Sequence, residues 1–413
     1  MKTFLILGAG TGGTMMANKL AKRLDPQTWK IILVDRVMEH YYQPGFLFIP
    51  FGYYKPEAVV QPKRKFVPAG VEFINSSIEL IEPDSNRVTL TEGKRVISYD
   101  QLLIATGTDI HPEEIEGMHG AGWQKNIFDF YTFDGSVKLF NFLQNFKGGR
   151  LVVNVAEMPI KCPVAPLEFV FLADYYFTQR GIRNKVDIIY STPLSGAFTK
   201  PVSSKMLGDV LTKKNIHIEP DFAISEVDAG KNIISSYDGR GLNYDLLVTI
   251  PTNMGADVIG RSGMGDDLNF VPTNKTTLQS DKWQNVWVIG DAANVPASKA
   301  GSVVHYEAET LIENVMHAIE GKQLPAAYDG HSTCHIMSGF NKSLLIDFSY
   351  EEEPLTGLYP FPVVGPFPLL KESFFNYLGK LSFKWIYWNI MLRGIPFPLP
   401  PAYSLAGKNK PKN

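Results

Sequence analysis

Cys162 and Cys334 are the only thiols in the chain, and 172 positions separate them. Two cysteines are too few for a structural disulfide framework, so they are either unrelated buried thiols or one redox pair. Cys162 lies in "RLVVNVAEMPIKCPVAPLE", residues 150–168, which reads as a buried strand, a loop and a helix starting near Pro166. A thiol just upstream of a helix N-terminus sees positive potential, and this predicts a lowered pKa and a favoured thiolate. Cys334 stands beside His335 and near His331. A second chemistry is written at the start of the chain, where Gly8, Gly10 and Gly13 fill a Gly-x-Gly-x-x-Gly turn. Such a turn admits a pyrophosphate: the first glycine bends the chain, the second allows close backbone approach and the third packs helix on strand.

The elements that must carry these residues follow from periodicity. Lys2–Leu7 reads as a strand, Gly13–Leu24 as a helix and Lys30–Val34 as a strand, a βαβ unit with the glycines in its first turn. Asp35 ends the second strand, placed to accept hydrogen bonds from a ribose hydroxyl pair. Residues 71–107 alternate as a β-meander ending in "YDQLLIATG", and a similar course through 216–249 ends in "YDLLVTIPT". One module used twice, the second copy inserted in the first, predicts two nested nucleotide-binding domains.

The expected fold class is therefore α/β, two nested Rossmann-like domains followed by an amphipathic, membrane-associated C-terminal region. The expected boundaries are 1–112 with 262–330 for the first domain, 113–261 for the second and 331–413 for the last. A net charge of −2 gives no case for nucleic acid. No apolar run reaches the ~20 residues a spanning helix requires. The chain starts directly on a strand, read as having no secretory leader, so the cytoplasmic face is the expected side.

Two further motifs select FAD over NAD. "LLIATG" supplies a small-residue turn, Ala105-Thr106-Gly107, at a strand end, and "VWVIGDAA" places Gly290 and Asp291 at another. A carboxylate at Asp291 can bond ribityl hydroxyls, and a helix following it would turn its positive end to the flavin pyrimidine. The second domain, by contrast, has Gly148 and Gly149 ahead of its first strand and Ala156-Glu157-Met158-Pro159 after it. Side chains and a proline stand where amides would meet pyrophosphate, so no nicotinamide site is expected there. Two lone cysteines in a flavoprotein without a nicotinamide site point to a redox pair.

The three flavin motifs, in this order and spacing, resemble the pyridine nucleotide–disulfide oxidoreductase superfamily over roughly residues 1–320. "IKCPVAPLE" and "TCHIMSGFNKSLLIDFSYE" further resemble the two catalytic-cysteine segments of the sulfide:quinone oxidoreductases. That resemblance implies that Cys162 and Cys334 flank the flavin, linked at rest by a disulfide or short sulfur chain. Hydrosulfide attacks the bridge, the released thiolate reduces the flavin, and polysulfur grows between the cysteines. Many members carry a third cysteine near the start of the second domain, often joined to the flavin. "EGMHGAGWQKNIFDFYTF" contains none, so FAD is expected to be non-covalent.

Other roles rest on single residues. Lys299 and Lys342 are candidates for a cation beside the reduced flavin, and Glu168 for an acid/base or a first-turn helix carboxylate. His305, His331 and His335 are candidate proton carriers. No Cys/His spacing suggests a metal. Near the C-terminus Phe374, Leu378, Leu381, Trp385, Trp388 and Leu392 follow a 4-3-4-3-4 spacing, one face of a helix, accompanied by Lys371, Lys380, Lys384 and Arg393. Such a helix suits a membrane interface, the expected route for a lipid-soluble quinone, with Phe340, Phe361 and Phe367 as quinone contacts. Sulfide, quinone and lipid surface are the expected partners, and a homo-oligomer stays open. The alternatives are a type II NADH:quinone oxidoreductase, a sulfide dehydrogenase flavoprotein subunit and a non-catalytic flavin-binding membrane protein.

Overall fold

The computed structural model describes residues 1–325, 328–361, 363–397 and 399–410. Its first sheet is built outward from β1 (Lys2–Leu7), whose last four residues are fully buried. The chain turns through Gly8 into α1 (Thr11–Arg23) and returns as β2 (Trp29–Asp35), parallel to β1 in the register Lys2↔Trp29. Val71–Asn75 extends the sheet beyond β2, while Gln101–Ile104 and then Val286–Val288 extend it beyond β1. All five strands are parallel.

A second five-stranded parallel sheet is centred on β3 (Gly149–Val155), with Leu246–Ile250 on one side and Val186–Ser191 on the other. The two sheets are the Rossmann-like halves expected from the repeated pattern, and the duplication extends to single hydrogen bonds. The Asp100 carboxylate accepts from the Thr3 N–H at 2.7 Å, and the Asp245 carboxylate accepts from the Arg150 N–H at 2.6 Å. Each aspartate thus ties the strand that follows it to the first strand of its own sheet. Each also follows a three-stranded antiparallel meander, 78–98 in one half and 224–243 in the other. The antiparallel pair Thr108–His111 and Thr252–Gly255 crosses between the halves.

Within the second half, β3 leads through a loop to α2 (Ala165–Gln179), a helix apolar on nearly all sides. Two sequence features that fit an N-terminus, Pro166 and Glu168, both fall in its first turn. All-round burial follows because α2 is covered on its outer side by the hairpin β4 (Ser332–Gly339) and β5 (Lys342–Phe348), which pair Cys334 with Ile346. Two helices lie outside the expected pattern, Phe133–Asn145 and Pro201–Lys213. The first is capped by the Thr132 hydroxyl, which accepts from the Gly135 N–H at 3.0 Å. α3 (Gly301–Ile319) packs against α1, and α4 (Phe374–Ile386) lies on the hairpin. Among the described residues no helix is long and apolar enough to cross a membrane.

The C-terminal stripe divides. Phe374 is 54% exposed and Trp385 62%, but Trp388 is only 6% exposed and Leu392 is fully buried. A π-helical turn over Tyr387–Met391 follows α4. The wider turn breaks the 3.6-residue phase, so Tyr387, Trp388, Met391 and Leu392 rotate off the outer face and into the core. Trp388 stacks on Phe66, ring centroids 5.2 Å apart, and its ring edge meets His40. The expected single apolar face is therefore corrected to an outer face ending at Trp385 and an inner anchor beyond it.

Candidate active site

One cavity of about 460 Å³ runs from the first glycine turn to the two cysteines. At its outer end Gly8 holds φ +97, and a Cβ there would lie 2.3 Å from the Ala105 carbonyl oxygen. A Cβ on Gly13 would lie 1.8 Å from the Gly8 carbonyl oxygen. These two glycines are demanded by the protein itself. Gly10 is different: a Cβ there would meet nothing within 4 Å, so the space it leaves belongs to the cavity. The Thr106 and Thr108 hydroxyls line the same space, buried and without a hydrogen-bond partner among the described residues. An open glycine at a helix N-terminus and two unpaired hydroxyls are what a bound dinucleotide would complete.

Asp35 lines this end, but its carboxylate is already engaged. It accepts from the Ala9 N–H at 2.6 Å and the Val37 N–H at 2.8 Å, and pairs with Lys63 at 2.6 Å. Asp35 thus shapes the glycine turn, and the buried Lys63 sets the charge beside it. Lys63 was not foreseen, because nothing local in the sequence marks it as inward-facing.

The middle of the cavity is formed by Ala105, Thr106, Gly107, Gly290 and Asp291. Asp291 belongs to a single 3-10 turn, and α3 begins only at Gly301, so the helix does not follow it directly. Gly301 and Ser302 nevertheless line the cavity, which places the α3 N-terminus on it. The turn is held from behind by Glu307, whose carboxylate accepts from the Gly290 N–H at 2.7 Å. Lys299 is buried rather than solvated. Its Nζ donates to the Asp291 carbonyl at 2.9 Å and the Ala293 carbonyl at 2.7 Å, and burial lowers its pKa.

The inner end holds both cysteines. The Cys162 N–H donates to the Lys299 carbonyl at 2.6 Å, joining the cysteine loop to the Asp291 loop. Cys162 has φ +45, and its carbonyl accepts from the Ala165 N–H at the start of α2. Its thiol does not show the expected lowering. Burial pushes it up to about 11, against the pull of Lys380 and the Ala165 N–H. Desolvation outweighs the helix end. Cys334 is raised still further by burial and by its neighbour Cys162, and both thiols are free.

Glu168 is neither exposed nor a simple first-turn charge. One carboxylate oxygen accepts from the Met337 N–H at 2.9 Å and the other pairs with Lys380 at 2.9 Å. Lys380 also donates to the His335 carbonyl at 2.9 Å. Lys380 thus leaves the group expected to reach lipid and becomes the cation beside the thiols. His335 lines the cavity with a pKa lowered to about 3 by burial and then Lys380, so its imidazole stays neutral.

Several expected residues stay outside the cavity lining. Lys342 is exposed at the hairpin turn. His305 packs against Phe397, and His331 is bonded to Asp347 at 2.7 Å. Phe340 is 46% exposed and rests on Tyr175, Phe361 is exposed, and Phe367 stands 6.0 Å from the His335 ring without reaching the space. The phenylalanines that do line it are Phe46, Phe130 and Phe383, the last on α4 one turn from Lys380.

Residues 2–144 match the family model described as pyridine nucleotide-disulphide oxidoreductase. Over 94% of its length the chain is 29% identical to the mitochondrial sulfide:quinone oxidoreductase of Mus musculus, covering 86% of that protein. It is 26% identical to the sulfide-quinone reductase of Aquifex aeolicus, over 77% of each chain. The X-ray structure of the sulfide:quinone oxidoreductase from Aquifex aeolicus superposes with a TM-score of 0.80 at 21% identity, covering 96% of this chain and 93% of that one. Similarity to a type II NADH:quinone oxidoreductase of Staphylococcus haemolyticus, 27% identical, extends over only 30% of each chain.

Proposed function

We infer that this chain is a sulfide:quinone oxidoreductase, an FAD enzyme that oxidises sulfide and reduces a quinone. The observation that carries the reading is the single cavity joining the Gly8–Gly10 turn to Cys162, Cys334 and Lys380. Gly10 and the α1 N-terminus would hold the diphosphate of FAD, and Asp291 would bond its sugar chain. When bound, FAD accepts an electron pair from the sulfur side and gives it up to quinone.

The chain's own residues do the sulfur chemistry. In the proposed cycle Cys162 and Cys334, both free thiols in this structure, are joined by a sulfur bridge in the oxidised resting enzyme. Hydrosulfide attacks one sulfur of the bridge, forming a persulfide on that cysteine and releasing the other as a thiolate. The buried site resists a free thiolate, as the raised Cys162 pKa records. The Lys380 ammonium opposes that resistance, because a cation near a developing thiolate stabilises it. Glu168 and the His335 carbonyl hold Lys380 in place. Phe383 and neutral His335 line the inner end, an apolar approach suited to a quinone ring.

The exposed face of α4, with Phe374, Phe375, Leu378, Leu381 and Trp385, rests on a lipid surface. Exposed Phe361, Val363 and Val364 extend the same apolar character.

Anaerobic sulfide should bleach the flavin absorbance, and a soluble quinone should restore it. Cys162→Ser and Cys334→Ser should each abolish the sulfide step. Rapid bleaching by NADH without sulfide, or sulfide-dependent flavin reduction surviving in each single variant, would overturn the assignment.

A further inference from the structure

A second cavity, about 380 Å³, lies between α4 and the segment 54–66, outside the redox site. Lys65, Lys384 and Arg393 line it, and no acidic residue does. None of the three has a carboxylate partner among the described residues. Lys65 donates to the Gln61 side-chain oxygen at 2.8 Å, Lys384 sits 4.3 Å over the Tyr54 ring, and Arg393 sits 5.9 Å over the Phe66 ring. Burial alone lowers the Lys384 pKa. Lys65 and Arg393 are exposed and Lys384 half-buried, so three cations face one recess with no acidic residue lining it, a charge pattern complementary to an anion.

A separate observation points the same way. Trp388 lines this cavity while being 6% exposed, and its indole N–H is buried with no partner among the described residues. Buried indole donors are normally satisfied, so an acceptor is missing. The rim identifies the source of the anion. Leu381 and Trp385 line the cavity and belong to the exposed apolar face of α4 that also carries Phe374 and Leu378. A ligand filling the recess therefore has an anionic end inside and an apolar body outside.

We propose that this cavity is a headgroup site for an anionic glycerophospholipid. Its phosphate is taken by Lys65, Lys384, Arg393 and the Trp388 N–H, and its acyl chains run past Leu381 and Trp385 into the bilayer. The proposal rests on the reading that α4 lies on a lipid surface. It adds selectivity by headgroup charge to that contact.

The test is co-sedimentation of the FAD-loaded full chain with phosphatidylcholine vesicles and with phosphatidylcholine–phosphatidylglycerol vesicles. The readout is the ratio of the two affinities. A basic residue near an anionic surface contributes about fivefold, so three give a preference on the order of a hundredfold. The triple variant Lys65→Gln, Lys384→Gln, Arg393→Gln should bring the ratio close to one while keeping neutral-vesicle binding. Asn389→Trp keeps every charge but fills the recess, since Asn389 lines it and is exposed on its helical turn. It should also abolish the preference. Lys371→Gln, outside the cavity, should cost no more than about fivefold. Unchanged sulfide bleaching in detergent shows that each variant is folded. If Asn389→Trp keeps the preference, the charges act only as a diffuse basic surface and the site is refuted. Inorganic phosphate erasing the preference at constant ionic strength would mean a free-oxyanion site instead. Wild-type protein binding neither vesicle would sink the lipid-surface reading itself.

Discussion

Lys380 is the residue on which the reactivity of the thiols turns. It is 212 positions from Glu168, and the buried pair they form stands beside Cys162 and Cys334. Removing the cation should push the Cys162 pKa above its value of about 11, and removing the Glu168 charge should let it fall. The rate of iodoacetamide alkylation of reduced protein against pH measures this directly. The midpoint should rise in Lys380→Met and drop in Glu168→Gln, and a midpoint unmoved by Lys380→Met would dismiss the assigned role. The cysteines were legible by residue type and by their rarity. Lys380 was not, because helical spacing groups it with solvent-facing lysines and nothing local shows a carboxylate waiting on another helix. The direction of the thiol shift was misread for a related reason. Sequence shows the helix end near Cys162 but not the burial that outweighs it.

At the level of elements, the π-helical turn after α4 separates two tryptophans that share one stripe in the sequence. Trp388→Ala should cost roughly 3–5 kcal/mol, the usual range for emptying a buried aromatic site. Trp385→Ala should change stability by no more than about 0.5 kcal/mol, since an exposed side chain packs on little. Urea unfolding distinguishes them, and vesicle binding should reverse the order, falling more for Trp385→Ala. Similar losses of stability in both would remove the distinction between inner anchor and outer face. The 4-3-4 spacing identified the helix correctly, because it is a local property. Where the stripe leaves the surface depends on a single widened turn, and side-chain spacing carries no mark of it.

For the molecule as a whole, the twofold pattern was the most legible feature, since Tyr99-Asp100 and Tyr244-Asp245 repeat both in sequence and in their strand-tying bonds. Glu307 shows what such a pattern cannot reveal. It sits fully buried beneath the Gly290 turn, and burial raises its pKa to about 7. A raised folded-state value means that the fold prefers the protonated carboxyl, so stability falls as pH climbs from the unfolded value near 4.5 through 7. Between pH 5 and pH 8 wild type should lose about 2–3 kcal/mol relative to Glu307→Gln in denaturant midpoints. Equal pH slopes in the two proteins would exclude it. Cys162 and Cys334 have a further global consequence. They lie on separate structural units, the loop after β3 and the hairpin strand β4. A sulfur bridge between them closes a loop spanning 172 positions, and a tie of that length removes about 5 kcal/mol of chain freedom from the unfolded state. On the proposed mechanism each catalytic cycle would fasten and unfasten the molecule, and heat resistance would become a gauge of sulfide supply. A starved enzyme would be the durable one, and the enzyme held reduced the first to melt.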